Sequence, residues 1–162
     1  MDFWLGTHQI AWLSRIDVPL MVSRRRLADY KTLPRAHGPI FRDSSGFTKL
    51  AIDGSWDDLP AAQFVAEARV HSQEIGNIRY FAPRDWMCEP MILKKTGLSI
   101  AEHQRRTVAD YCDLMQRAPE LPWVPVLQGW EMDDYLRCVE MYDRVSVDLR
   151  AAPLVGVGTI CR

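Results

Sequence analysis

The sequence predicts an α/β protein built like a (β/α)8 barrel but incomplete, with about six parallel strands. Three observations carry this expectation. Six short apolar runs recur along the chain, largely continuous rather than alternating, as expected of strands covered on both faces. Crossover segments, several with helical periodicity, separate them, which is the strand–crossover–strand pattern of a parallel sheet. Most runs end in polar residues or glycine, and parallel α/β proteins bind ligands beyond the carboxyl ends of their strands. A complete barrel takes about 250 residues, whereas this chain has 162. A doubly wound sheet would be self-sufficient at that length, but no glycine-rich dinucleotide fingerprint follows the first run.

The elements follow in order. The first apolar run covers residues 3–7. The second, 18–22, leads into Ser23, which suits the cap of a short helix over Arg24, Arg25 and Arg26. The third, 39–41, ends in Asp43-Ser44-Ser45-Gly46-Phe47, a turn sequence. Residues 60–75 read as a helix, with Pro60 in its first turn, an apolar stripe of Phe64, Val65, Ala68 and Ile75, and Gly76 as its stop. A strand over 78–82 ends at Pro83-Arg84-Asp85. Ser99 and Glu102 form a capping-box pattern for a helix whose Val108, Tyr111, Cys112 and Met115 share one face; Pro119 and Pro122 terminate it. The strand over 124–127 closes on Gln128-Gly129-Trp130, and a helix over 133–145 carries Leu136, Val139 and Tyr142 inward. The last run, 154–160, is interrupted by Gly156 and Gly158.

Composition bounds the function. At 48% hydrophobic and 25% charged residues the composition is that of a globular protein, and residues 1–162 read as the N-terminal and central part of one barrel domain. Twenty basic residues against twenty-one acidic ones mean that net charge implies no nucleic-acid partner, which leaves that question to local basic patches. No run of eighteen apolar residues suggests a membrane span, and the N-terminus lacks the basic region of a signal peptide. Cys88, Cys112, Cys138 and Cys161 form no CxxC pair and have no zinc-site spacing. Reduced thiols in a cytoplasmic protein are the simplest reading.

The strand ends hold the candidate chemistry. Asp43 can take a proton in a turn that presents backbone N–H groups, or it can simply close that turn as an Asx cap. Asp85 beside Trp86 suits a flat, nitrogen-rich base through carboxylate acceptance and stacking; the alternative is a loop cap beside a core tryptophan. Gln128 offers an amide that can read a base edge or be tied to backbone. Gly156 and Gly158 permit close approach of a ligand or tight packing. Arg24 and Arg25 can bind phosphate at a helix start, or form a solvated face. His8 and His103 have no partner at metal spacing, and His103 reads as a surface or half-buried residue. Trp86 and Trp130 stand at the expected mouth.

The segments FWLGTH, VPLMVSRRRL, DSSGFTKL, APRDWMCEPMILKKTGLSIAEHQRRT, PVLQGW and PLVGVGTICR span almost the whole chain in order. Together they resemble the tRNA-guanine transglycosylase superfamily, and most closely its DNA-modifying branch, which inserts 7-deazaguanine bases into phage or bacterial DNA. The resemblance implies a (β/α)8 barrel that exchanges guanine for a 7-deazapurine through a covalent enzyme–nucleic acid intermediate. It implies a catalytic role near the base for Asp43, in a segment with Ser44, Gly46 and Phe47 where Ser45 replaces a family glycine. It implies base recognition by Asp85, with Trp86 and the pocket cysteine Cys88 nearby. Gln128 and Gly129 look like the base-edge amide and its glycine, and Gly156 and Gly158 like the backbone wall of the pocket. The family's nucleophilic aspartate lies on a later strand, and its zinc ligands have no counterpart here, so no metal or cofactor is expected in this chain. Asp148 precedes the sixth strand and does not match the nucleophile. The expected partners are DNA, a 7-deazaguanine base and a second polypeptide that completes the barrel, without which the chain is expected to be inactive. A non-catalytic purine- or DNA-binding remnant, queuine-type exchange in tRNA, and a doubly wound enzyme of unrelated chemistry are the alternatives.

Overall fold

A computed structural model describes residues 3–159. Its strands are β1 (Leu5–Thr7), β2 (Leu20–Ser23), β3 (Ile40–Asp43), β4 (Ile78–Phe81), β5 (Val126–Leu127) and β6 (Gly156–Val157). Its α-helices are α1 (Arg24–Ala28), α2 (Gly46–Asp53), α3 (Ala61–Ile75), α4 (Pro90–Thr96), α5 (Ile100–Arg117) and α6 (Met132–Arg144). Strands β1 to β4 pair in parallel in chain order, as do β5 and β6. A parallel bridge between Phe81 and Trp123 joins the two sets. There the Phe81 N–H donates to the Pro122 carbonyl at 2.9 Å, and the Val124 N–H to the Phe81 carbonyl at 3.0 Å. Among the described residues strand order does not reverse, which excludes a doubly wound sheet there. Among the described residues the sheet does not close, and the fold is that of an incomplete barrel.

Alternation along β3 sets out the layers. Phe41 faces the concave side, where its ring meets Trp4 and Tyr80 with centroids 6.0 Å apart in each case. Ile40 and Arg42 face the helices. Asp43, two residues from Phe41, thus ends the strand on the inner side. The largest apolar cluster lies between the sheet and the helices and includes Phe64, Phe81, Trp86, Ile92, Leu114 and Tyr142.

Several expectations are corrected. The turn after β3 opens a helix at Gly46, and a second short helix starts at Pro90. Gly54 and Gly97, at φ 75° and 69°, end these two helices as left-handed C-caps. Strands β5 and β6 are shorter than their apolar runs; Pro125, which has no N–H to donate, interrupts the first of these. Ile160, the last residue of the predicted sixth strand, and Cys161 lie outside the described residues. Ser23 makes no capping bond; instead the Ser45 hydroxyl accepts the Arg25 N–H at 3.0 Å. Leu136 points outward, because Asp134, Cys138 and Tyr142 form the buried stripe of α6 and Leu136 lies half a turn from it. His103 is fully buried, held by the Met87 carbonyl at 2.6 Å and the Thr96 hydroxyl at 2.8 Å. Ser99 accepts the Glu102 N–H at 3.2 Å as the capping pattern requires, while the Glu102 carboxylate turns to Arg105 and Arg106.

Arg42 is a buried charge in this core. It is fully buried, its guanidinium lies 4.6 Å from the Phe64 ring centre, and none of its three side-chain nitrogens has a hydrogen-bond partner among the described residues. Its nearest counter-charge is Glu67 at 3.8 Å, which Arg24 already grips through two bonds of 2.6 and 3.1 Å. Burial lowers the Arg42 pKa to about 9. Replacing such a buried charge with an apolar side chain of similar length is often neutral or stabilising, whereas deleting its partner is not. Arg42→Met should leave stability unchanged or raise it. Glu67→Ala should cost roughly 2–3 kcal/mol, below the value for a fully buried pair because Glu67 is partly exposed. Denaturant titration of both variants checks this, and the reverse ranking would refute the account.

Candidate functional site

The site forms where β3, β4 and β5 end. At the end of β3 the chain must leave the sheet and enter α2 within two residues. Ser45 does this at φ 68°, in the left-handed region that favours glycine, at a cost of about 1 kcal/mol. It is the residue for which the resembled family has glycine. The Asp43 Oδ2 accepts the Ser45 N–H at 2.9 Å, and the Ser44 hydroxyl accepts the Gly46 N–H at 2.9 Å. Asp43 is therefore an Asx-type cap of the turn. It also lines a pocket of about 120 Å3 together with Asp85, Ser44, Gly46, Phe47 and Met87.

Asp85 follows β4 and is the polar centre of this pocket. Its Oδ1 accepts from the Ser44 hydroxyl at 2.6 Å and its Oδ2 from Gln128 Nε2 at 2.7 Å. Its backbone carbonyl accepts the Trp56 indole N–H at 3.2 Å. A Cβ on Gly46 would lie 2.8 Å from Asp85 Oδ1, so only hydrogen fits where the α2 turn crosses the carboxylate. Burial, reinforced by the nearby Asp43, raises the Asp85 pKa to about 7 against the pull of the Ser44 and Gln128 bonds. Burial also raises Asp43, opposed by the Ser45 N–H and the Arg42 charge. Two carboxylates sharing one small pocket are each harder to ionise than they would be in water.

Gln128 stands behind Asp85 rather than on the pocket wall. It is fully buried, with Nε2 on Asp85 and Oε1 accepting from the Thr159 hydroxyl at 2.8 Å. Gly158 packs flat on this amide: a Cβ there would meet Nε2 at 2.3 Å. Gly129 packs against Asp134 and Tyr135 of α6, and Gly156 against Val126. The Cys88 N–H donates to Thr159 at 3.0 Å, and burial pushes the Cys88 thiol pKa up, as for a packed cysteine rather than a nucleophile.

Trp86 turns away from the pocket. Its ring lies 5.4 Å from His103 and 4.5 Å beneath the Arg106 guanidinium. The Trp130 N–H caps α6 through Asp134 at 2.9 Å. The Arg24 guanidinium is held by Glu67, whereas Arg25 is exposed and borders a hollow with Arg26, Asp29, Ser23 and Thr48. Ser23 and Thr48 also line the carboxylate pocket, so the hollow adjoins it.

Sequence reasoning missed Thr159 and Gln104. The Gln104 Nε2 donates to the carbonyls of Gln128 and Asp134 at 2.7 and 2.6 Å, which fixes the end of β5. Its signal was present: Gln104 lies four residues before Val108 on the apolar face of α5, where a polar side chain needs a buried partner. No single residue type marked Thr159. Among the described residues no group of His, Cys, Asp or Glu is arranged to hold a metal ion, and no helix is long and apolar enough to cross a membrane.

Two predictions follow from this geometry. Because the folded Asp85 pKa lies above its unfolded value, the carboxyl favours folding below about pH 4, and that contribution is lost as pH rises through 7. Asp85→Asn removes the dependence. The variant should gain on wild type by up to about 4 kcal/mol between pH 4 and 8. The difference between the two proteins is the quantity to measure, since His71, lowered to about 4 by burial and by Arg42, acts in the opposite sense over pH 4–6.5. A flat difference curve would refute the assignment. Gly158→Ala should displace the Gln128 amide and destabilise the fold by about 1–3 kcal/mol, which thermal unfolding would read.

A comparison with curated proteins gives no match. The family model described as DpdA, DeoxyPurine in DNA protein A, matches residues 1–162. Its coverage of the whole chain agrees with the parallel, barrel-like sheet and with a carboxylate pocket at the strand ends. The chain therefore belongs to the DpdA family of deazapurine DNA-modifying transglycosylases, in the branch similar to tRNA-guanine transglycosylases.

Proposed function

We propose that the pocket between Asp43 and Asp85 receives the purine exchanged by this deazapurine transglycosylase, guanine leaving DNA or 7-deazaguanine entering it. The observation that carries the proposal is the buried Asp85 carboxylate, each oxygen of which accepts one bond from the protein. A carboxylate has about four acceptor positions, so two remain for the N–H edge of a guanine-like base. Phe47, 43% exposed on the pocket rim, supplies an aromatic edge. Asp43, on the same side, handles a proton at the base or positions it. The base reaches such a pocket only out of the duplex stack, and the exposed Arg25 beside the adjoining hollow contacts the flanking phosphate. Gln128 serves this reading by holding Asp85, and Arg24 by fixing α1 through Glu67.

Exchange breaks the bond from the deoxyribose C1′ to guanine and makes one to the incoming base, which requires a group on the sugar side as well. Asp43 and Asp85 both face the base. The outer edges of β1 and β6 pair with no strand among the described residues, and unpaired edges invite another strand. A second polypeptide that extends the sheet there would supply both the enclosure and the missing group.

Calorimetry with 7-deazaguanine tests the binding step. Affinity should rise about tenfold from pH 6 to pH 8 as Asp85 ionises, and Asp85→Asn should remove that rise and weaken binding. Incubation of the chain with guanine-containing DNA and labelled 7-deazaguanine should give no incorporation, and addition of a strand-contributing partner should give it. Incorporation by the chain alone would refute the need for a partner. Failure to bind the base at any pH would refute the pocket assignment, and labelling of tRNA instead would transfer the activity to the other branch.

A further inference from the structure

Thr159 is the least comfortable residue beside the pocket. It is 2% exposed, and it sits at φ 59°, a conformation that a β-branched side chain rarely adopts. The Tyr135 hydroxyl holds the strained segment by donating to the Gly158 carbonyl at 2.8 Å. Strain that surrounding contacts maintain calls for a reason.

The hydrogen bonds supply it. The Cys88 backbone N–H can only donate, and it points at the Thr159 oxygen at 3.0 Å. The hydroxyl therefore accepts there, and its one proton goes to Gln128 Oε1 at 2.8 Å, the Glu89 carboxyl being the other acceptor within its reach. With Oε1 committed, the opposite end of the carboxamide, Nε2, must face Asp85, at 2.7 Å. Gly158, flat against the amide, leaves it little room to move aside. The chain of donors runs in one direction, from the Cys88 N–H through the Thr159 hydroxyl and the Gln128 amide to the Asp85 carboxylate.

We propose that Thr159 is a positioning residue, whose hydroxyl sets the polarity of the Gln128 carboxamide so that Asp85 is held as a hydrogen-bond acceptor toward the base. Without that hydroxyl the amide is free to turn over and bring its carbonyl against the carboxylate, which favours protonated Asp85 and spoils the reading of an N–H edge. This deepens the purine-pocket assignment and rests on it for the ligand, but the relay is a property of the free protein.

The titration of Asp85 reads the relay directly. The groups facing its carboxyl are Asp43 across the pocket, the Ser44 hydroxyl from the β3–α2 turn and the Gln128 amide from the end of β5; Cys88 lies near it on its own loop. Glu89 also faces the Thr159 hydroxyl, so the signal is taken from the Asp85 carboxyl carbon by 13C NMR rather than from bulk stability. In the full chain, Thr159→Val should raise the Asp85 midpoint by about one pH unit, a tenfold change, and Thr159→Ser should restore it. Thr159→Gly removes the hydroxyl and also relieves the positive φ, so it folds even where valine does not, and it should show the same upward shift. Affinity for 7-deazaguanine at pH 7 should fall several-fold in the valine and glycine variants and recover in the serine variant. A folded Thr159→Gly protein with an unchanged Asp85 midpoint would overturn the proposal. A shifted midpoint in proteins that never bind the base would uphold the relay and reject the purine reading.

Discussion

The Asp85 carboxylate, buried between two donors from different strand ends, is the constraint on which the rest of the site depends. Ser44 reaches it from the end of β3 and Gln128 from the end of β5, while Asp85 itself follows β4. Thr159, just past β6, joins through Gln128. One ionisable group thus ties together four consecutive strand ends of a parallel sheet. A buried carboxylate is tolerable only when its oxygens are hydrogen-bonded, so the requirement acts on every loop around it. Gly46 and Gly158 are narrow points of the same constraint, each lying where a Cβ would strike Asp85 or the amide that holds it.

Outside the pocket the sheet carries a second, partly buried polar layer. Arg42, Glu67, Arg24 and His71 occupy the space between β3 and α3, and they are less well satisfied than the Asp85 network. Arg42 is adjacent in sequence to Asp43, and its charge opposes the rise in the Asp43 pKa that burial causes. The two layers are electrically linked across the strand. A cation in the outer layer, kept at some cost in desolvation, makes the Asp43 carboxylate in the inner pocket less unfavourable. The same cation helps to keep His71 neutral, with its pKa near 4.

A hollow that bears two arginines adjoins the pocket. Arg25 and Arg26 are exposed at a hollow next to the carboxylates, whereas Arg24 is bound to Glu67. Other exposed cations, among them Arg15, Lys31, Arg79, Lys94 and Lys95, are spread over the rest of the surface. In the proposed function, phosphate contacts of this kind would position a substrate without reading its sequence, while the carboxylate would read the base.

The sequence by itself determined the parallel α/β class, the order of the strands, the helices over 61–75 and 100–117, and the set of strand ends that carry polar groups. Those properties follow from periodicity, glycine and proline, which act locally. The DSSGF, LQGW and central RDWMCEP segments also marked the family. Only the tertiary structure decided which way the side chains at those ends turn. Asp43 and Asp85 meet in one pocket, whereas Trp86, one residue along, packs outward under Arg106. Gln128 proves to hold Asp85 instead of lining the wall, and His103 is buried rather than half-exposed. Thr159 had no signal at all, because its role depends on Cys88 and Gln128, which are 71 and 31 residues away. Hydrogen-bond partners at such separations are brought together only when the sheet forms, and no local pattern encodes the direction in which a buried donor must point.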